Sequence, residues 1–328
     1  MTTRRSLTFV PFTLVLAALL SVSAAQAQNW VQIASGGPMA RSGPASAYDP
    51  VSGKVLIFGG YQVSPSGLTF YLADTWAFDG TTWAQAGVKA AGPSPRTGAA
   101  MAYDAVDGRI IMFGGWDGQK RLGDTWAWDR KRERWIRQKT GGGPAPMSGA
   151  MGFLDPSSNH AFLIGGFDGR FYQNTTWKWN GRSWDSVPTA TVPYARAEGI
   201  CAPNPVSGQV VMFGGLGDVN PNNTWTWDGK DWTLENPVSQ PPGRFYSGAA
   251  YDSSSGGVIF FGAGDSDTWV WDGSNWTQLF PANAPSPRQL YAMTTDDALG
   301  GHPILFGGED TSSGGSQFND TWEFIGGK

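Results

Sequence analysis

The chain has 328 residues, a formal net charge of -4 and a single cysteine. One cysteine excludes an internal disulfide framework, and an acidic chain without a basic run argues against nucleic acid as a partner. With 46 glycines, 17 tryptophans and only 15% charged residues, and with no long helical apolar period after residue 27, the composition predicts many short strands joined by tight turns.

Residues 1–27 have the form of an export signal. Arg4 and Arg5 give a basic start, Leu7 to Val22 is mostly apolar, and Ala25-Gln26-Ala27 is a small-x-small cleavage site. Cleavage after Ala27 is expected, leaving residues 28–328 as one secreted or periplasmic domain, a monomer with no membrane span. The alternatives are a retained transmembrane anchor and a twin-arginine signal, which Thr3-Arg4-Arg5-Ser6-Leu7 resembles.

The next segment, Asn29-Trp30-Val31-Gln32-Ile33, is similar to Asn275-Trp276-Thr277-Gln278-Leu279 much further on. Between them runs one pattern in six copies. Each has a strand ending in Gly59-Gly60, Gly114-Gly115, Gly165-Gly166, Gly214-Gly215, Gly262-Ala263 or Gly307-Gly308, then a loop, then a strand opening on Trp76, Trp126, Trp177, Trp225, Trp269 or Trp322. A repeat of about 50 residues sets the architecture before anything else is read. In the second copy, Thr97 to Asp104 is a strand of small residues (a), and Val106-Asp107-Gly108 is a tight turn. Arg109 to Gly115 is an apolar strand buried on both faces (b), Asp124 to Asp129 is a third strand (c) with Trp126 and Trp128 on one face, and Arg134-Trp135-Ile136 is the fourth (d). Four antiparallel strands per repeat make a propeller blade, with the small-residue strand innermost. The Asp or Asn before Thr-Trp is expected to bond a backbone turn.

Spacing predicts how the ring closes. In copies one, three, four and five the two tryptophans of strands c and d are seven apart, as in Trp76 and Trp83. The partner of Trp322 would fall one position past Lys328. The Trp30 segment therefore supplies the fourth strand of the last blade, which protects edges an open ring would expose.

The order Pro-x-x-Arg, Tyr-Asp-x-x-x-Gly, Phe-Gly-Gly, Asp-Thr-Trp, Trp resembles the kelch repeat, over nearly all of residues 28–328. The resemblance implies an all-β, six-bladed β-propeller acting as an interaction platform, here for a protein, peptide or glycan outside the cytoplasm. Strand direction places the variable b–c loops and the d–a connections on one face, where recognition usually sits. Two sets of residues there are candidates. Arg41, Arg96, Arg196, Arg244 and Arg288 open the innermost strands, with Met147 in copy three. They form either a basic ring for a carboxylate or structural pairs with acids such as Asp74 and Asp124. Tyr61, Trp116 and Phe167 follow Gly-Gly in three consecutive blades, extended by Lys120, Arg121, Arg170, Phe171 and Tyr172. They either stack on a ligand or cover neighbouring blade edges.

Enzymatic readings are narrower. Galactose oxidase and its relatives carry kelch repeats, but their copper site needs two clustered His. His160 and His302 fall three blades apart at the tight-turn end, so neither a metal nor another cofactor is expected. Phe78-Asp79-Gly80-Thr81-Thr82-Trp83 lacks the spacing of the sialidase blade motif. Sialic-acid mutarotases, exported kelch propellers, are the alternative to a binder. They imply a general acid/base beside an Arg at the channel mouth, with Glu198 and Glu309 as carboxyl candidates.

Overall fold

In a computed structural model of the protein, described for residues 28–87, 91–217, 222–310 and 315–326, the chain forms six four-stranded antiparallel sheets set around one axis. The expected export signal lies outside the described residues. Blade 2 is representative: Ala100–Asp104, Arg109–Phe113, Thr125–Asp129 and Arg134–Gln138 pair in sequence order. Blade 6 combines the two ends of the sequence. Ala292–Asp296, His302–Phe306 and Thr321–Ile325 are completed by Asn29–Ala34, which runs antiparallel to Thr321–Ile325 with Trp30 opposite Phe324. The closure predicted from the tryptophan spacing is therefore present. Trp30 is fully buried against Phe261 of blade 5 and Phe324, at centroid separations of 5.4 and 5.3 Å.

The cores lie between blades. Phe58 of blade 1 packs with Met112, Trp128 and Trp135 of blade 2, and the same layering continues to Ile57, Ala292 and Phe306 where blade 6 meets blade 1. Innermost strands carry buried Ala45, Ala47, Ala100, Ala102, Ala202 and Ala250 because blades converge there. Among the described residues the one helical segment is a single turn, Asp297–Leu299, and no helix is long and apolar enough to cross a membrane.

The Asp-Thr-Trp tripeptide is a three-way joint. Its Thr hydroxyl accepts the indole N–H of the next blade's strand-d tryptophan in all six junctions. Trp135 donates to Thr75 (2.9 Å), Trp184 to Thr125 (3.0 Å), Trp232 to Thr176 (2.9 Å), Trp276 to Thr224 (2.9 Å), Trp30 to Thr268 (3.0 Å) and Trp83 to Thr321 (2.8 Å). Its acid does not serve a turn, as the sequence led us to expect. Asp74 accepts a bidentate fork from Arg41 (2.7 and 2.9 Å) and the indole N–H of Trp76 (2.7 Å), and Asp124 and Asp320 do the same for Arg96 with Trp126 and for Arg288 with Trp322. Burial alone would raise the carboxyl of Asp74, but the Arg41 and Trp76 hydrogen bonds more than offset it and hold it below its ordinary range.

The glycine pair seats each blade against the next. Gly114 (φ 68°) donates to Asp124 O, while Gly115 (φ 106°) donates to Met147 O of blade 3. A Cβ on Gly114 would stand 2.5 Å from that same carbonyl oxygen, so the close approach requires glycine.

Candidate functional site

Two residues beyond the Arg position, the six innermost segments meet around the axis. Their backbones close a ring of hydrogen bonds on the loop side. Gly98 N–H donates to Gly43 O, Gly149 to Gly98, Glu198 to Gly149, Tyr246 to Glu198, Leu290 to Tyr246 and Gly43 to Leu290, at 2.6–3.3 Å. All six residues are left-handed, with φ between 56° and 70°. Blades 1 to 3 use glycine. Blades 4 to 6 use Glu198, Tyr246 and Leu290, each in a conformation that costs an L-residue roughly 1–2 kcal/mol.

This asymmetric ring lines a cavity of about 520 Å3 at the channel mouth. Glu198 leans over the glycines of the two preceding blades: a Cβ on Gly149 would lie 2.6 Å from its Oε1, and one on Gly98 3.3 Å. The carboxyl has no hydrogen-bond donor or counter-ion among the described residues, and burial pushes it up to about 7. Burial, then the charge of Glu198, pushes the Tyr246 phenol up as well.

The opposite wall comes from the b–c loops of blades 1 to 3. Tyr61–Val63 and Thr69–Tyr71 form a small hairpin that presents Tyr61 and Tyr71. The Trp116 indole donates to Tyr71 Oη at 3.1 Å. Arg121 lies between two rings, its guanidinium carbon 5.0 Å from the Trp116 centroid and 4.5 Å from that of Phe167. Its Nε is buried without a hydrogen-bond partner, and it has no ion pair among the described residues. A cation stacked in this way has its guanidinium edge free for a ligand acceptor.

The residues expected from the sequence divide as follows. Tyr61 and Trp116 line the cavity, whereas Phe167 backs Arg121. Arg170 sits outside, 4.8 Å over the ring of Phe171. The five strand-a arginines are buried and engaged within their own blades: Arg41, Arg96, Arg244 and Arg288 form ion pairs, while Arg196 meets the amide oxygen of Asn223 at 2.8 Å. Of the two alternatives for these arginines, this is the geometry of structural pairs. Blade 3 lacks both partners together, with Met147 for the Arg and Thr175 for the Asp. Glu309 is held by Tyr61 Oη (2.8 Å), Ser42 Oγ (2.9 Å) and Gln289 Nε2 (2.9 Å). Tyr71, Tyr246 and Leu290 were missed. For Tyr246 and Leu290 the available signal was the position two after the Arg, where three copies read glycine and three do not. His160 and His302 cap Asp104 and Asp252 on the far side, both at 3.0 Å.

The fold and mouth define a six-bladed kelch-type propeller. The family model described as the KLHDC2/KLHL20/DRC7 Kelch-repeats domain matches residues 18–215, and the chain belongs to the kelch-repeat family. It is also similar to Mei4-dependent protein 6 of Schizosaccharomyces pombe, 32% identical over 78 residues, which are 24% of this chain and 11% of that protein. The matched stretch thus spans about a tenth of that relative's length. Among solved structures, that of YjhT superposes with a TM-score of 0.66 at 16% identity, covering 87% of this chain and 95% of the other. At that identity the likeness is one of fold.

Proposed function

We propose that the protein is an exported recognition module whose loop-side mouth takes a small, polar, glycan-type ligand. The observation that carries this reading is the cavity itself: about 520 Å3, with hydroxyls of Tyr61, Thr97 and Ser148 and the indole of Trp116 set around one half-buried carboxyl. That combination of apolar ring faces and convergent polar groups suits a sugar better than a flat protein surface. A second reading is favoured by Glu198. A carboxyl that titrates near neutrality can both donate and accept a proton, the two transfers that ring opening and closure of a sugar acid require. Arg121 on the opposite wall would then take the substrate's carboxylate.

The test is a glycan array followed by calorimetry on wild type, Glu198→Gln and Arg121→Met. The binding reading expects array hits whose affinity drops about tenfold or more in Arg121→Met, in line with loss of a charge-assisted contact. Retained affinity in both variants would reject the mouth as the site. Acceleration of anomer exchange of an acidic sugar by wild type, absent in Glu198→Gln, separates turnover from binding.

A further inference from the structure

The axis has a second mouth. On the side of the a–b turns lies another cavity, of about 430 Å3, which shares no lining residue with the first. It is built by strand register. The residue just before the buried Asp or Asn that ends each innermost strand lines it: Tyr48, Tyr103, Leu154, Pro203, Tyr251 and Thr295. Met101, Phe153 and Met293 line it as well, so the walls are apolar and aromatic.

The charge around this cavity is one-sided. Asp297 is the charged residue in its lining, and its carboxylate has neither a hydrogen-bond donor nor a counter-ion among the described residues. Next to it, Asp296 Oδ2 is buried without a partner. Of the basic groups on this side, Arg130 is committed to Asp49 (2.6 Å), His160 to Asp104 (3.0 Å) and His302 to Asp252 (3.0 Å), while Lys54 and Arg109, opposite Asp49 and Asp104 on the next strand out, lie outside the lining. Three phenols in three different blades line the cavity, and Tyr48 is the one that feels Asp296 and Asp297. Tyr48, Tyr103 and Tyr251 are all pushed up, first by burial and then by carboxylates, among them Asp296 for Tyr48, Asp49 for Tyr103 and Asp252 for Tyr251.

We propose that this turn-side cavity is a second ligand site, for a small organic cation carrying an ammonium group on an apolar body. Tyrosine faces attract such a cation through their quadrupoles. The unpaired carboxylate of Asp297 supplies the counter-charge, and the methionine and phenylalanine walls take the apolar part. An anion would meet the Asp297 carboxylate and no cation in the lining.

Calorimetric titration with choline and with its tert-butyl isostere, in which carbon replaces nitrogen and removes the charge, tests this. Wild type is expected to bind choline about tenfold more tightly than the isostere, the discrimination typical of a partly desolvated cation–π site. Asp297→Asn, at an exposed position, is expected to weaken choline by a similar factor. Tyr103→Leu should do the same, while Tyr103→Phe should retain binding because the ring face survives. Equal affinity for the two probes, an unchanged affinity in Asp297→Asn, or no choline binding at millimolar concentration overturns the proposal. So does loss of choline binding in Glu198→Gln with retention in Asp297→Asn, which would put the cation at the loop-side mouth.

Discussion

Glu198 combines two costs in one residue: a left-handed backbone and a half-buried carboxyl without a partner. Neither is met by a partner side chain, and such unrelieved strain is characteristic of positions held for function. The linkage follows from the direction of the shift. Burial raises the folded carboxyl from 4.5 to about 7, so the unfolded chain gives up the proton more readily. The stabilising contribution is complete below about pH 4.5 and is lost as pH rises through about 7. Thermal unfolding of wild type against Glu198→Gln between pH 4 and pH 8 should therefore show a gap that changes over this window, by about 1–3 kcal/mol. Parallel curves for the two proteins would mean that the carboxyl is ordinary. Glutamine keeps the shape and removes the titration, so the comparison isolates the charge.

Among elements, the repeated joint of Arg, Asp, Thr and Trp clamps blades 1, 2, 5 and 6 alike, blade 3 lacks its Arg and Asp, and blade 4 keeps a weak copy. Arg196 has Asn223 where the other Arg-bearing blades have Asp, and burial without a carboxylate pulls its guanidinium down to about 10. Asn223→Asp should restore the bidentate pair seen at Arg41 and Arg96 and raise the melting temperature by roughly a few degrees. A lower melting temperature would show that the amide is the better partner at this site. This joint was only half legible in the sequence. The motif stood out because it recurs, but its partners lie far apart, as with Trp135 and Thr75, separated by 60 positions. Strand periodicity ranks residues by face and does not reveal which hydroxyl meets which indole. For the same reason the strand-a arginines could be read as a ligand ring or as a set of clamps until Asp74 and Asp124 were placed beside them.

At the level of the whole molecule, closure was legible because it is arithmetic: five pairs of tryptophans and one singleton, with the missing ring near the other end of the sequence. Deleting residues 28–34 removes Trp30, its bond to Thr268 and the edge cover of Thr321–Ile325. Loss of a buried tryptophan alone costs about 3–5 kcal/mol, so the melting temperature should fall sharply, and an unchanged value would refute the closure. The mouth was less legible, since sequence does not announce that Glu198, Tyr246 and Leu290 share the backbone conformation of three glycines. That ring has a further consequence. Space on the axis is held in common: the Glu198 carboxyl occupies the room that side chains at positions 98 and 149 would need. The six positions therefore behave as one word rather than six letters, and a new side chain can enter the mouth only when another blade gives up its own.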